Sequence, residues 1–377
     1  MGIPFPGTMV SRIHRLTMKI LHLIPNLSGG GAEQQLSYLA PELVRLGHEV
    51  HLAYSREGPY KPEMPGVVLH RLKSSSNYDT YLLWQLLRII RSIKPDIIHT
   101  WIIQMDILGG IASKINGISW ILREPSSAMA YSKNWKNRFR NLLGTHANAI
   151  VSNSIGGDVY WGSKHPHGRR FIIPNGLPAQ EIDKVVAALP PELIEIKSPI
   201  ILYVGRLTSD DSAAKNLEIL IEALAYVRKK QAVIGILCGN GPQRFELEAL
   251  SHKLGLTSDI HFLSYLPATS VWALMKKASI YISLSAYEGC PNTVMEAMAC
   301  SCPVILSDIP AHREILNESC ALFVDPSSSR QTAETILRAL DDIYSSKVRA
   351  QIAKQKTQDW LVTKMAKEYE KVYEEMG

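Results

Sequence analysis

The segment MKILHLIPNLSGGGAEQQLSYLAPELVRLGHEVHLAY, residues 18–54, contains a complete strand–helix–strand unit. Residues 18–27 are apolar, the composition of a strand buried on both faces. Gly29-Gly30-Gly31 break it. Apolar residues then recur at 32, 36, 39, 43 and 46, the spacing of one helix face, and Gly47 stands where a helix C-cap is expected. Pro41 lies inside this helix and predicts a bend. HEVHLAY (48–54) reads as the next strand.

The unit repeats. Tyr81 to Ile93 is amphipathic at helical spacing, and Pro95-Asp96-Ile97-Ile98-His99 leads into a strand. Helix 108–115, strand 119–122, helix 135–146 and strand 149–152 follow, and IPNGLP (173–178) closes the series. Residues 179–198 carry Pro190-Pro191, with Pro199 just after, and read as a junction. A second series has strands over 199–207, 232–241, 260–267, 279–285 and 303–308, alternating with helices over 215–230, 243–254, 269–277, 292–300 and 330–344. Short apolar strands alternating with helices predict α/β architecture with parallel sheets covered on both faces. The expectation is two Rossmann-like, doubly wound domains facing one another across a cleft. The boundaries are a loose tail over 1–17, a first domain over 18–190, a second over 191–355, and a terminal helix over 356–377. Trp360, Leu361, Met365, Tyr369 and Tyr373 near one face predict that this last helix packs back on the first domain.

The 377 residues are 46% hydrophobic and 20% charged, which argues against disordered and fibrous classes. The net charge of +6 is basic without reaching a nucleic-acid-binding extreme. It is unevenly spread. Residues 1–195 hold 21 Lys and Arg against 14 Asp and Glu, and residues 196–377 hold 20 against 21. The first half should therefore meet something anionic. Five cysteines with no CxxC pair read as small buried thiols rather than a metal site. No apolar run is long enough to span a bilayer, and residues 1–17 lack the apolar core of a signal peptide.

Four constellations can carry chemistry. Gly29-Gly30-Gly31 between a strand and a helix let a ligand approach amides at a helix N-terminus. A dinucleotide fingerprint is incomplete: its third glycine position holds Gln34, and the second strand ends in Ala53-Tyr54-Ser55 without a carboxylate. Gly205-Arg206, with Lys215-Asn216 downstream, sets two cations at the carboxyl end of a buried parallel strand, where such sheets bind ligands and where a diphosphate leaving group can be neutralised. Asp210 and Asp211 between them are adjacent rather than D-x-D, so no metal is inferred. Glu288-Gly289-Cys290-Pro291-Asn292-Thr293-Val294-Met295-Glu296 turns tightly from a strand into a helix. Asn292 and Thr293 can cap that helix, whose first amides suit phosphate oxygens. Glu288 and Glu296 would repel an anion, so they make sense on the hydroxyl-bearing ends of a molecule whose middle is a diphosphate. Gly239-Asn240-Gly241-Pro242 is a further glycine turn at the same sheet edge.

Taken together, GGGAEQQLSYLAPELVRLGHEV, KPDIIHTW, IPNGL, YVGRL with KN, CGNGP and EGCPNTVMEAMACSCPVILSD resemble the retaining GT-B fold glycosyltransferases of the large family 4. The resemblance runs from Gly29 to Asp308 and implies sugar transfer from a nucleotide donor, usually UDP-linked, with no resident cofactor. It implies that Arg206 and Lys215 hold the diphosphate, Glu296 the ribose and Glu288 the donor sugar. Backbone at Asn292, Thr293 and Val294 would meet the phosphates. Gly30 and Gly31 would close over the substrates, and Gly205, Gly239 and Gly241 would line the donor site. The chain departs from the family pattern in three places: about four extra residues between Arg206 and Lys215, Arg123-Glu124 where members often place a histidine, and Pro41. Arg123 remains a candidate cation for donor phosphate or acceptor. His99 and His312 read as satisfied structural histidines.

The expected reaction is same-face attack through an oxocarbenium-like state, with the leaving phosphate taking the acceptor proton. Lys133, Trp135, Lys136, Arg138 and Arg140 form a basic cluster with one aromatic, which suits a lipid-phosphate-linked or saccharide acceptor and an anionic membrane surface. The chain is accordingly expected in the cytoplasm, peripheral on the inner face of the plasma membrane, in cell-surface polysaccharide assembly. Three readings compete: a non-catalytic nucleotide-sugar binder, a nucleotide-sugar epimerase of the same fold, and an NAD-dependent Rossmann enzyme.

Overall fold

The computed structural model describes residues 17–58, 62–74, 81–131, 134–208 and 215–377. The expected tail over 1–17, apart from its last residue, lies outside them, as do Asp210, Asp211 and Lys133. The first sheet has seven strands: β1 (Lys19–Leu23), β2 (Glu49–Tyr54), β3 (Val68–Arg71), β4 (Ile97–Trp101), β5 (Ser119–Glu124), β6 (Ala149–Ser152) and β7 (Arg170–Ile172). Their order across the sheet is β3-β2-β1-β4-β5-β6-β7, all parallel. The second sheet has six: β8 (Ile200–Val204), β9 (Ile234–Cys238), β10 (Ile260–Leu263), β11 (Ile280–Ser283), β12 (Val304–Ser307) and β13 (Leu322–Val324). Their order is β10-β9-β8-β11-β12-β13, again all parallel.

In both sheets the order reverses beside the first strand, which opens the crevice where doubly wound sheets bind ligands. Alternate residues of each strand enter different cores, as the two-residue period requires. Ile20, Ile97 and Ile121 join the helix Gly31–Arg45 and the terminal helix Val362–Met376 on one face. Leu21, Ile98 and Leu122 join helices Tyr81–Ile93 and Ile103–Asn116 on the other. In the second sheet Leu202, Ile236 and Leu306 pack on the helix Asn292–Ala299, and Ile201, Leu237 and Ile305 on the helix Leu217–Arg228.

The terminal helix crosses back to the first sheet. Its turning point is pinned by Leu177, whose amide donates to Trp360 O at 2.6 Å and whose carbonyl accepts from Val362 N at 3.1 Å. Pro41 sits buried in the first helix, which remains one 15-residue element; Gly47 follows it at φ +100°. Several elements have no clear sequence signal. Strand β3 is a largely exposed edge, and the helix Ile155–Gly162 contains Gly156 and Gly157 and is started by its Ser154 cap.

Candidate active site

Strands β9, β8 and β11 are neighbours, so the loops leaving their carboxyl ends lie side by side. The loops after β8 and β9 are bonded backbone to backbone: Gly205 N donates to Cys238 O, and Leu207 N to Asn240 O, both at 3.0 Å. Gly239 has φ +143°, and a Cβ there would overlap Gly205 O. Gly241 lies equally close to Leu207 O. The glycine turn read as donor-lining is thus first a packing requirement between two loops. Arg206 projects, exposed, from the crest they form.

Lys215 and Glu288 were assigned to different parts of a donor, and the fold brings them into contact. Lys215 Nζ lies 2.5 Å from Glu288 Oε1, which also accepts from Ser285 Oγ at 2.7 Å. Burial raises the Glu288 pKa, but the Lys215 charge and these hydrogen bonds outweigh it and hold it below the usual carboxylate value. Asn216 adopts φ +51° and anchors the turn by donating from Nδ2 to Leu284 O at 2.8 Å. Behind the loop, His312 is buried, bonds through Nδ1 to Ser307 O at 2.8 Å, and has its pKa lowered by burial. This is the structural role expected for it.

The helix beginning at Asn292 is not capped by its own side chains, contrary to the sequence reading. Pro291 occupies the N-cap position. Thr293 Oγ1 accepts from Tyr281 Oη at 2.7 Å, and Asn292 reaches across the cleft. Its Nδ2 donates to Gly31 O at 3.3 Å, and its Oδ1 accepts from Gln35 Nε2 at 3.3 Å and from Asn175 Nδ2 at 2.6 Å. The first amides of this helix, at Asn292, Thr293 and Val294, have no intrahelical acceptor, the general feature of helix ends that bind anions.

Glu296, one turn further, is buried, and burial pushes its pKa up to about 7. Its partner comes from the first helix: Gln34 Nε2 donates to Glu296 Oε1 at 2.8 Å. The glycine turn closes from the same side. Gly30 is the N-cap of that helix, and Gly29, at φ +89°, lies against the Tyr265 hydroxyl of the opposite domain. Gln35 clamps Gly176 through both its amide and its carbonyl, at 2.8 and 3.1 Å. Glu33 folds back on the helix N-terminus; burial raises its pKa, while the amides of Glu33 and Gly30 and the facing Arg206 charge oppose the rise.

Arg123 is not an open cleft cation. It is fully buried, its guanidinium lies 4.3 Å from the Trp101 ring centre, its Nε donates to Tyr369 Oη at 3.1 Å, and Nη2 donates to Asn175 Oδ1. It ties the terminal helix to the residue that touches Asn292. His99 belongs to the same hub, with Nδ1 2.8 Å from Tyr373 Oη; burial, together with His22 and Arg123, keeps it neutral. The structural place expected for it is there, but the histidine is only half satisfied, because its buried Nε2 has no hydrogen-bond partner.

Arg140 leaves the basic cluster. It is buried between Asp106, at 2.6 Å, and Glu124, at 3.0 Å. Its charge is consumed inside the domain, because a cation at that depth requires carboxylate partners. Trp135 and Arg138 remain exposed.

Gln34, Gln35, Asn175, Glu33 and Tyr265 escaped the sequence reading. IPNGL flagged the neighbourhood of Asn175. Glutamines on a helix carry no local signal, because their partners lie far along the chain: Glu296 for Gln34, and Gly176 and Asn292 for Gln35.

Two facing doubly wound domains with all-parallel sheets are the architecture of the GT-B class. Residues 29–181 match glycosyltransferase family 4, and residues 189–359 match glycosyl transferases group 1. The chain is 26% identical over 341 residues to an uncharacterized glycosyltransferase of Methanocaldococcus jannaschii, covering 83% of this chain and 86% of that protein. It is 25% identical over 365 residues to the N-acetylgalactosamine-N,N'-diacetylbacillosaminyl-diphospho-undecaprenol 4-alpha-N-acetylgalactosaminyltransferase of Campylobacter jejuni, covering 92% and 96%. Its fold matches Anabaena HepE, solved with UDP and glucose, at a TM-score of 0.82 and 20% identity over 95% of this chain and 100% of that one. The protein belongs to the GT-B glycosyltransferases of the family 4 type.

Proposed function

We propose that the protein transfers a sugar from a UDP-sugar, with retention and without a metal or resident cofactor, to a saccharide on a lipid-phosphate carrier. The observation that carries this reading is the joint presence, at one strand-end crevice, of Arg206, the Lys215–Glu288 pair and the free end of the Asn292 helix. Arg206 and Lys215 neutralise the departing diphosphate, and the helix amides at 292–294 meet its oxygens. Glu288, ionised through its contact with Lys215, accepts hydrogen bonds from the donor sugar. Glu296 accepts from the ribose once Gln34 withdraws.

As the anomeric carbon–oxygen bond breaks, positive charge grows on the sugar and negative charge on the phosphate. The acceptor oxygen bonds to the anomeric carbon on the face the phosphate leaves, and its proton passes to a phosphate oxygen. A UDP donor is supported by the fold match to a protein solved with UDP and glucose. A lipid-linked acceptor is supported by the relative whose name gives a diphospho-undecaprenol saccharide, and a polysaccharide role by a lipopolysaccharide core glycosyltransferase relative of Rhizobium meliloti. Such an acceptor sets the protein on the cytoplasmic face of the plasma membrane. Among the described residues no helix is long and apolar enough to cross a membrane.

The test is UDP release and product formation from a panel of UDP-sugars with diphosphoprenol-linked saccharides. Arg206→Ala should lower turnover by about 10²–10³, the range for loss of one electrostatic stabiliser, with an unchanged unfolding midpoint. Near-normal turnover of that variant, or sugar isomerisation without acceptor, would overturn the reading.

A further inference from the structure

Glu124, the last residue of β5, is fully buried, and both of its carboxylate oxygens are engaged. Oε2 serves the core of the first domain, where it accepts from Arg140 Nη1 at 3.0 Å and from Trp161 Nε1 at 2.9 Å. Oε1 serves the loop that leaves the strand. It accepts from Ser126 N at 2.9 Å and from Tyr131 Oη, near the two ends of loop 125–131. Other contacts steady the same loop. Asn153 Nδ2 donates to Pro125 O at 3.0 Å, and the Tyr131 ring stacks on Tyr160 at 5.2 Å. Gly156 and Gly157 let the start of helix Ile155–Gly162 approach it: a Cβ at Gly157 would crowd Ser126 O, and one at Gly156 would press on Ser127 Cβ. The loop also meets the second domain. A Cβ at Gly289 would overlap Pro125 O and crowd Ser126 Cα and Asn153 Oδ1, so backbone lies on backbone there. Gly289 follows Glu288, the residue proposed above to hold the donor sugar.

We propose that Glu124 is a positioning residue for sugar transfer: it holds loop 125–131 against Gly289, and so keeps the first domain's wall of the cleft in register with the loop that carries Glu288. Stability alone would not select this carboxylate. Its charge stands with that of Asp106 beside a single Arg140, and buried ion pairs can often be replaced by apolar packing without loss. Half of its hydrogen-bonding capacity goes to backbone and side chain of a loop at the cleft, where order serves geometry. The second domain holds the donor sugar and the acceptor hydroxyl approaches from the first, so their separation is set where the two backbones touch. A displacement of about 1 Å in such a place can cost about a hundredfold in rate. Arg206, Lys215 and the Asn292 helix end, the groups proposed to hold the diphosphate, all belong to the second domain, so nucleotide affinity should not depend on Glu124. The role in transfer rests on the function proposed above, whereas the contact at Gly289 is read without substrate.

The two oxygens of the carboxylate supply the test. Tyr131→Phe removes one donor from the loop side and keeps the ring stack on Tyr160. Trp161→Phe removes one donor from the core side. Glu124→Gln removes the charge that both sides use. Two quantities are followed in the full chain. The first is turnover with the UDP-sugar and diphosphoprenol-linked saccharide that the transfer assay selects, together with the UDP Kd by calorimetric titration. The second is the rate at which iodoacetamide alkylates Cys290 without substrate, read by peptide mass. Cys290 adjoins Gly289, its carbonyl accepts from Asn175 Nδ2 at 3.4 Å, and burial pushes its thiol pKa up to about 12, so it reacts when the junction opens. Tyr131→Phe and Glu124→Gln should lower turnover by about tenfold to a hundredfold, leave the UDP Kd within about twofold, and speed Cys290 alkylation several-fold. Trp161→Phe should lower the unfolding midpoint and leave turnover and alkylation as in the parent chain. Equal effects of Tyr131→Phe and Trp161→Phe would confine Glu124 to the core and overturn the proposal. So would parent-like turnover and alkylation in both Tyr131→Phe and Glu124→Gln. If Glu124→Gln does not fold, Tyr131→Phe decides alone. A parent chain without transfer activity would sink the proposed function, and the Cys290 rates would still decide whether Glu124 sets the junction.

Discussion

Glu296 shows what burial does to one side chain. Its pKa rises from 4.5 to about 7 because burial takes water from the carboxylate, and the Gln34 amide and Trp272 side chain only partly offset that loss. A group whose acid form is favoured by folding takes up a proton in the native state while the unfolded chain has released it. Stability must therefore fall as pH rises from about 4.5 to about 7, and level off above. The size is up to ~3 kcal/mol, from roughly 1.4 kcal/mol per pKa unit. Glu296→Gln keeps a hydrogen-bonding head of the same shape and never ionises. Urea unfolding at pH 5 and pH 7.5 should show a shallower loss of stability in Glu296→Gln than in the parent chain. Identical slopes would show that Glu296 is solvated. The sequence singled out Glu296 through the spacing of Glu288 and Glu296. It did not reveal the burial, because the covering Gln34 lies 262 residues away.

At the scale of elements, two buried hubs fix the first domain. The terminal helix is held by Tyr369 on Arg123 and Tyr373 on His99. Tyr369→Phe keeps the ring and removes one acceptor from a buried guanidinium, a loss of about 1–3 kcal/mol in urea unfolding. Tyr369→Ala adds a cavity and should cost about 3–5 kcal/mol. Equal effects would mean that packing alone holds the helix. The other hub is Arg140, which joins helix Trp135–Gly144 to Asp106 on helix Ile103–Asn116 and Glu124 at the end of β5. Arg140→Ala leaves two carboxylates buried beside each other and should cost about 3–5 kcal/mol. Burial already raises the Asp106 pKa, against the pull of Arg140, so without that cation the loss should be larger at pH 8 than at pH 5, where the carboxyls can protonate. A smaller loss at pH 8 would refute this account. Periodicity found most sheet strands and the long helices, because each buries a regular stripe. It missed β3, an exposed edge. The sequence also counted Arg140 in an outward basic cluster, because the Asp106 and Glu124 carboxylates that neutralise it belong to other elements.

At the scale of the molecule, the two domains meet through a set of amides, one of which covers the carboxylate proposed to take the ribose. Gln34 holds Glu296, Gln35 holds Asn292 while clasping Gly176 of its own domain, Asn175 holds Asn292, and Glu314 accepts from Ile155 N at 3.0 Å. No local pattern in the sequence could show this, since every pair joins residues remote along the chain. The bonds divide by what they do. Gln35 and Asn175 meet Asn292 and can persist with a donor bound, whereas Gln34 occupies the carboxylate proposed to take the ribose. If Gln34 competes with ribose hydroxyls, its removal should tighten nucleotide binding while loosening the donor-free closed form. One net hydrogen bond of about 1 kcal/mol corresponds to roughly a fivefold change in Kd. Calorimetric titration of UDP into Gln34→Ala should therefore show a Kd lower by about that factor, and small-angle scattering without nucleotide should show a larger radius of gyration than the parent. Gln35→Ala should loosen closure without tightening UDP, because its partners lie outside the ribose position. A Gln34→Ala variant that binds UDP more weakly would make Gln34 part of the donor site rather than its placeholder.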